Sequence, residues 1–421
     1  MRRPRPLRLI RPGERPDAPP GRELPIEGQV LLISAFFLTI FGTIMVYSAS
    51  SAHAMTNPDF NHDSLYFVKN GLLYTIAGVV LMVGLVFTPA GWIRRVAPLV
   101  FAGSLLALVA VAIPGVGLTI NGATRWLPLG PITVQPSEFA KLGVLLVLAA
   151  ILATRKRPPD TFKELAFPIG AIVAVVGLLV MLQPDLGTTL AICVMVLAVL
   201  IAAGTRASLL ARVIGIGLVL GAIAIWAAPY RRERMLAFLD PWAQSQDGAY
   251  QIVQAMIAIG SGGILGQGLG SSVQKVNFLP EAHTDMIFAV IGEELGLIGA
   301  IVTVGLFGAF AWAGFTIALR AADPFQRLLA AGATALVTGQ AVINLGAVMG
   351  ILPLTGIPLP LISYGSSSRI VVLILVGLLV AISREPQVAA PRPRRRAAAA
   401  EPDAPAPSTA PRRRRRAPAG A

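Results

Sequence analysis

The feature that most limits this chain is a series of apolar segments along nearly its whole length, at about 28–50, 70–89, 97–113, 136–154, 165–182, 185–203, 212–229, 286–319, 328–352 and 369–383. A predominantly apolar stretch of roughly 17–25 residues is the length that crosses a bilayer as a helix. The chain is 55% hydrophobic and only 13% charged, against about 25% charged in an average soluble domain. Soluble globular classes are therefore excluded. The expected fold is an all-α polytopic membrane protein with ten transmembrane helices. Residues 28–383 form one membrane domain, with a large loop at 230–285 between spans 7 and 8.

Basic residues orient the spans. With the N-terminus inside, the inner loops hold Arg94 and Arg95, the 155–163 stretch RKRPPDTFK, Arg206 with Arg212, and Arg320 with Arg327. The loops at 51–69 and 183–184 are nearly free of Lys and Arg. Lys and Arg collect on the cytoplasmic side of a membrane. An even number of spans, both termini in the cytoplasm and an extracytoplasmic 230–285 loop follow.

Much of the formal net charge of +14 lies in the two ends. Residues 1–27 carry seven Arg against four acids, and residues 384–421 carry ten Arg against three. Both ends are rich in Pro, and the C-terminal one also in Ala, so they cannot bury a core and are expected to be disordered cytoplasmic arms. Basic tails beside a membrane span touch anionic lipid and hold that side inside; nucleic acid is not an expected partner. The single cysteine, Cys193, lies within a span and reads as a packing residue, which excludes an intrachain disulfide or a cysteine-based metal site. No cleavage-site pattern follows the first span, so no cleavable signal peptide is expected.

Charge inside a span is costly and marks function by default. Glu138 and Lys141, three apart in QPSEFAKL, share a helix face and read as a structural ion pair or as a ligand site. Glu293 and Glu294 in GEELG lie about 12 Å along the helix from Asp285 at 1.5 Å per residue, and read as interhelical or coupling groups. The segment LPEAHTDMIF places Glu281, His283, Thr284 and Asp285 on the lip of the eighth span. The 230–285 loop carries Arg231, Arg232 and Arg234 in YRRERMLAFLDPW and glycines at 260, 262, 263, 266, 268 and 270. Those arginines suit either lipid headgroups or an anionic ligand, and two short helices of the loop are expected to lie in the interface or fold back on the core. The stretch ILPLTGIPLPLISYGSSS has three prolines and cannot be a regular span. At membrane depth such backbone must be covered by protein or line a cavity. Asp285, the arginines, the NGATRW loop with Arg125 and Trp126, and Ser363, Tyr364, Ser366 and Ser367 thus converge on one face. The residues alone describe a membrane-embedded enzyme or transporter for an anionic ligand, with Asp285 a candidate general base.

The segments NGATRWLPLGPITVQPSEFAKL, QPDLGTT, YRRERMLAFLDPW, GAYQIVQAMIAIGSGG, LPEAHTDMIFAVIGEELGLIG and GIPLPLISYGSSS occur in this order from about residue 28 to 383. This pattern resembles the SEDS family (shape, elongation, division and sporulation). The resemblance implies a ten-span peptidoglycan glycosyltransferase that polymerises lipid II at the outer face of the cytoplasmic membrane, with a class B penicillin-binding protein as partner. Its catalytic Asp falls on Asp285. GLGSSVQKVNFLPEAHTD, INGATRW and LGPITVQPSE are more similar to the division member than to the elongation member. That implies a septal location and other division proteins as partners. Two positions depart from the family pattern: Ser366 stands where a glycine is usual, and Arg369 where an apolar residue is expected.

The donor sugar of lipid II is an α-linked diphosphate and the glycan is β-linked, so one inverting displacement is implied. Asp285 would take the acceptor proton. Arg125, Lys275 and one of Arg231, Arg232 and Arg234, with Lys141 if the cavity is deep, would stabilise the departing diphosphate. His283 would orient Asp285, cap the helix or serve as a structural hydrogen-bonding group. No dedicated metal motif is visible; Mg²⁺ or Mn²⁺ would arrive bound to the diphosphate. An elongation-type polymerase, a lipid II flippase or transporter, and a non-catalytic division scaffold are the alternatives.

Overall fold

The computed structural model describes residues 24–120, 122–130, 132–243, 249–276 and 278–385. The expected tails lie outside the described residues apart from their membrane-proximal ends. There α1 (Ile26–Thr56) starts two residues before the expected edge of the arm.

Among the described residues nine helices are long and apolar enough to cross a membrane, and Leu186–Ala202 is a shorter apolar helix. Together they match the ten expected spans. They are α1; α2 (Tyr66–Val86); α3 (Ala90–Val111); α4 (Pro136–Ala153); the Phe162–Leu182 span; α7 (Leu186–Ala202); α8 (Ala207–Trp226); α11 (Ile287–Arg320); α12 (Pro324–Val348); and α13 (Ser366–Arg384). The Phe162–Leu182 span is itself broken into α5 (Phe162–Leu165), a π-helical turn and α6 (Ala171–Leu182). Phe167 there has extended φ/ψ of −133° and 126°, which interrupts the helix.

Apolar windows of α12 and α13 are 83% buried and that of α4 78%, against 6% for α8. The first three therefore form the centre and α8 faces lipid. The two ends of the bundle differ in chemistry. At one end Glu27 pairs with Arg320, Arg94 lies over Phe325 and Arg384 over Phe87. The N-termini of α1, α3 and α12 thus meet the C-termini of α2, α11 and α13. The described chain enters and leaves at this arginine-rich end, as an even number of spans requires.

The opposite end is where the chain stops being helical. A three-stranded antiparallel meander of β1 (Leu118–Ile120), β2 (Ala123–Leu129) and β3 (Ile132–Val134) covers it, with Trp126 opposite Leu118 and Leu127 opposite Val134. This corrects the purely helical reading, which treated NGATRW as a loop. The 230–285 loop holds the two expected short helices, α9 (Pro229–Leu239) and α10 (Tyr250–Gly262), and α10 folds back onto α11.

The eighth span is not one helix. Thirty-four residues would make a straight rod of about 51 Å, against a hydrocarbon core of about 30 Å. The rod breaks at Gly296, whose φ/ψ of 62° and −156° belong to a region essentially reserved for glycine. The glycine-rich segment after α10 fills the break. Gln267 and Gly268 donate to the carbonyls of Glu293 and Glu294, each at 3.0 Å, and Leu297 donates to the carbonyl of Gly263 at 3.0 Å. A Cβ on Gly266 would lie 2.2 Å from the Glu294 oxygen, and one on Gly296 2.4 Å from the Gly266 nitrogen. The glycines therefore serve backbone-to-backbone pairing at membrane depth. Replacing Gly296 by Ala is expected to destabilise the fold by at least about 1–3 kcal/mol from backbone strain. Gly91→Ala, where nothing lies within 4 Å, is the control. Thermal unfolding of both variants in the same detergent checks this, and equal midpoints would refute the pairing.

Candidate active site at the non-helical end of the bundle

Asp285 sits two residues before α11 begins. Its backbone carbonyl accepts a hydrogen bond from Asn344 Nδ2 of α12 at 2.7 Å, and the same amide donates to the Ile357 carbonyl at 2.8 Å. Thr284 Oγ1 donates to Asp285 Oδ1 at 3.3 Å and also contacts Glu281 Oε2 at 3.0 Å. Gly356 lies against the other oxygen: a Cβ there would be 3.9 Å from Asp285 Oδ2. Asp285 is half-buried as a residue, and burial of its carboxyl group pushes the pKa up to about 6, with the charge of Glu281 adding to the rise and that of Arg234 opposing it. A carboxyl group held there is ionised at neutral pH and still basic enough to receive a proton.

His283 belongs to an aromatic cluster with Phe67 at 4.4 Å and Tyr364 at 5.8 Å between ring centroids, and His53 of α1 at 6.2 Å. Burial lowers its pKa to about 4; Glu281 works against this and His53 with it. The imidazole is therefore neutral at physiological pH. Its backbone carbonyl accepts from the Tyr364 amide at 2.9 Å. Of the candidates, Glu281, Thr284 and Arg234 thus gather around Asp285 by contact or field, and Tyr364 meets His283 two residues before it.

The remaining candidates do other work. Arg231 donates to the carbonyls of Ala224 and Met181, and Arg232 is exposed. Arg125 binds the Gln183 carbonyl through Nε at 2.8 Å and the Pro184 carbonyl through Nη2 at 2.6 Å, so it fastens β2 to the turn before α7. Trp126 lies on the same strand. Lys141 and Glu138 form a fully enclosed ion pair at 2.7 Å. Lys275 is buried against Glu294 at 2.7 Å and Ser48 of α1 at 3.1 Å. Lys141 thus forms the structural ion pair that was one of its two readings, Lys275 is held by Glu294 where a diphosphate contact was expected, and Arg125 is partly exposed with only backbone carbonyls as partners. Ser363 Oγ accepts from the Leu359 amide and Ser367 Oγ from the Gln135 amide, each at 2.8 Å. Ser366 is buried in the first turn of α13.

Sequence reasoning missed Asn344, His53, Ser48 and Ser272. A polar residue inside an apolar helix is the signal that marks Asn344. Glu293 and Glu294 act as the expected coupling groups: Ser272 Oγ donates to Glu293, and Ser48 Oγ and Lys275 Nζ donate to Glu294. Among the described residues no group of three or more His, Cys, Asp or Glu could hold a metal ion.

The family model FTSW_RODA_SPOVE, described as a cell cycle protein, matches residues 29–388. The chain belongs to the SEDS family. A similar curated SEDS relative is the probable peptidoglycan glycosyltransferase FtsW of Geobacter metallireducens, 41% identical over 354 residues, covering 84% of this chain and 94% of the relative. A solved structure described as the structural coordination of polymerization and crosslinking by a peptidoglycan synthase complex is similar at TM-score 0.68 and 31% identity, over 84% of this chain and 96% of that one. The rod shape determining protein RodA of Thermus thermophilus is similar at TM-score 0.64 and 28% identity, over 87% and 98%.

The buried Lys275–Glu294 pair generates a stability test. Removing one partner of a buried pair leaves an uncompensated charge and costs about 3–5 kcal/mol. Lys275→Met is therefore expected to lower the unfolding midpoint strongly, and the double variant Lys275→Met, Glu294→Gln to recover most of the loss. Additive losses in the double variant would show that the two groups are not coupled.

Proposed function

We propose that this SEDS protein is a peptidoglycan glycosyltransferase that polymerises lipid II into β-1,4 glycan strands, with Asp285 as its general base. The observation that carries this is the Asp285 carboxylate itself. It sits at the lip of a membrane helix, held by Asn344 and the 353–365 segment, with burial bringing it into the range of a general base and Arg234 in its field.

Asp285 accepts the proton of the acceptor hydroxyl. That oxygen forms the bond to the anomeric carbon of the donor, the carbon–oxygen bond to the diphosphate breaks on the opposite face, and the leaving diphosphate keeps the electron pair. Inversion at that carbon turns an α-linked donor into a β-linked strand. Arg234, which the structure brings near Asp285, stabilises charge on the reacting groups, and neutral His283 adds no competing positive charge. Any Mg²⁺ or Mn²⁺ arrives on the diphosphate. The lipid tail remains in the bilayer beside the helices while the sugars lie at the lip that carries Asp285.

The similarity to FtsW proteins supports a role in septal wall synthesis, and the similarity to a peptidoglycan synthase complex supports a class B penicillin-binding protein as partner, beside other division proteins. The arginine-rich end then faces the cytoplasm with both termini and Asp285 the outer face, a reading supported by the distribution of basic loops.

Asp285→Asn keeps the backbone carbonyl that Asn344 holds, so the protein is expected to fold and insert, while glycan formation from lipid II by the purified protein with its partner is lost. Asp285→Glu moves the carboxylate by one methylene, and a displacement of about 1 Å can cost about 10²-fold. Near wild-type polymerisation by Asp285→Asn would return the flippase or scaffold reading.

The raised pKa sets the pH dependence. The base works only when ionised, so kcat/KM is expected to rise with pH through about 6 and level above it. Arg234 stabilises the carboxylate, so Arg234→Gln should move this limb to higher pH; Glu281 raises the pKa, so Glu281→Gln should move it lower. A pH–rate profile of the three proteins decides. A limb unmoved by both changes would separate it from Asp285.

A further inference from the structure

Arg369, in the first turn of α13, is buried in the bundle, yet among the described residues no carboxylate pairs with it. Its Nη2 donates to the carbonyls of Ile362 and Ser363 at 3.4 and 3.1 Å, and its Nη1 to Thr75 Oγ1 of α2 at 3.1 Å. Its Nε is buried without a partner. A buried charge without a counter-charge opposes folding, so stability by itself is a poor account of a guanidinium here.

What the guanidinium holds is more informative. The carbonyls of Ile362 and Ser363 lie just before the N-cap of α13, in a segment with no regular hydrogen-bond ladder. One residue earlier, Leu361 has φ of 64°, a left-handed conformation that persists for a branched side chain only when its surroundings enforce it. One residue later, the Tyr364 amide donates to the His283 carbonyl. Further back in the same segment, Ile357 shares Asn344 with Asp285, and Gly356 lies against Asp285 Oδ2. A planar guanidinium with two Nη groups can grip carbonyls and a neighbouring helix at once, as the ammonium of Lys cannot in the same geometry.

We propose that Arg369 is a positioning residue: by gripping the carbonyls of Ile362 and Ser363 and bracing on Thr75, it fixes the 353–365 segment, which in turn fixes His283 and Asp285. The proposal rests on Asp285 being the general base. Arg369 itself touches no reacting atom.

The test uses the full chain in bilayer nanodiscs, as wild type, Arg369→Leu, Arg369→Lys and Thr75→Val. Hydrogen exchange reads the segment without reference to activity, and steady-state kinetics on lipid II with the partner present reads the base. Arg369→Leu is expected to speed exchange of the 362–364 amides by about tenfold or more through local opening, leaving α12 unchanged. It should lower kcat about 10²-fold, as expected for a displaced base, with KM within about threefold. Arg369→Lys should recover part of both effects, and Thr75→Val, which spares the carbonyl contacts, should give a smaller change in the same sense. Unchanged exchange at 362–364 overturns the proposal, as does faster exchange with an unchanged kcat. A raised KM at constant kcat overturns it too, because that result assigns Arg369 to substrate binding. Should Arg369→Leu fail to fold, Thr75→Val and Arg369→Lys carry the same reading. Wild-type protein that makes no glycan from lipid II overturns the glycosyltransferase reading instead, and the exchange data still decide whether Arg369 holds the segment.

Discussion

A peptide group at membrane depth has no water to bond to, and next to the candidate site the described bundle leaves the helix at Gly296 and at residues 353–365. Each unpaired group costs several kcal/mol in hydrocarbon, so both departures must be closed by protein. At Gly296 the closure is backbone to backbone, between residues 263–268 and the two sides of the break in α11. At residues 353–365 it is side chain to backbone, through Asn344, Ser363 and Arg369. The candidate base lies between these two repairs. Neither repair tolerates sliding, because a shift by one residue would strand several donors at once.

The buried charges follow the same logic with a different sign. Glu138–Lys141 stays within one helix, whereas Lys275–Glu294 joins the 271–285 strap to α11, and Ser48 adds α1. Well-packed apolar side chains would serve at least as well for stability. What an ion pair adds is register: a carboxylate that loses its ammonium partner is penalised far more than two apolar groups that slip past each other. Glu293 and Glu294 therefore bind the strap to the half-helix and leave little choice in where residues 279–286 run.

The spans were legible because the bilayer imposes a length on apolar runs, and α4 and α13 fall within a few residues of their expected bounds, while α1 runs on past its expected end to Thr56. The end-sorting was legible because arginines are expensive to translocate. The break at Gly296 was not, since the three glycines of GEELGLIG leave the apolar run intact and do not say which one breaks it, and the partners of the break are 28–33 residues upstream. The meander was missed although Asn121-Gly122 is a strong hairpin dipeptide; membrane proteins with long helices give a low prior for strands. Asp285, His283 and Thr284 were readable as polar residues crowded on a helix lip. Lys275 was misassigned because a sequence shows a charge without its partner, and Glu294 lies across a fold of chain that no spacing reveals, whereas the Glu138 partner of Lys141 was readable three residues away.

The position of Asp285 follows from the short helix it precedes. Residues 287–295 span about 13 Å at 1.5 Å per residue, a rod too short to bend. Its far end is fastened by Glu293 and Glu294 to Ser272, Lys275 and Ser48, and its near end by Asn344 through the Asp285 carbonyl. A rigid rod pinned at both ends fixes its first residues without any contact to the carboxylate oxygens. Those oxygens are left to Thr284 and to the space beside Gly356, free for the proposed acceptor hydroxyl. A base must be held in place yet keep its lone pairs available, and holding it by its backbone satisfies both demands at once.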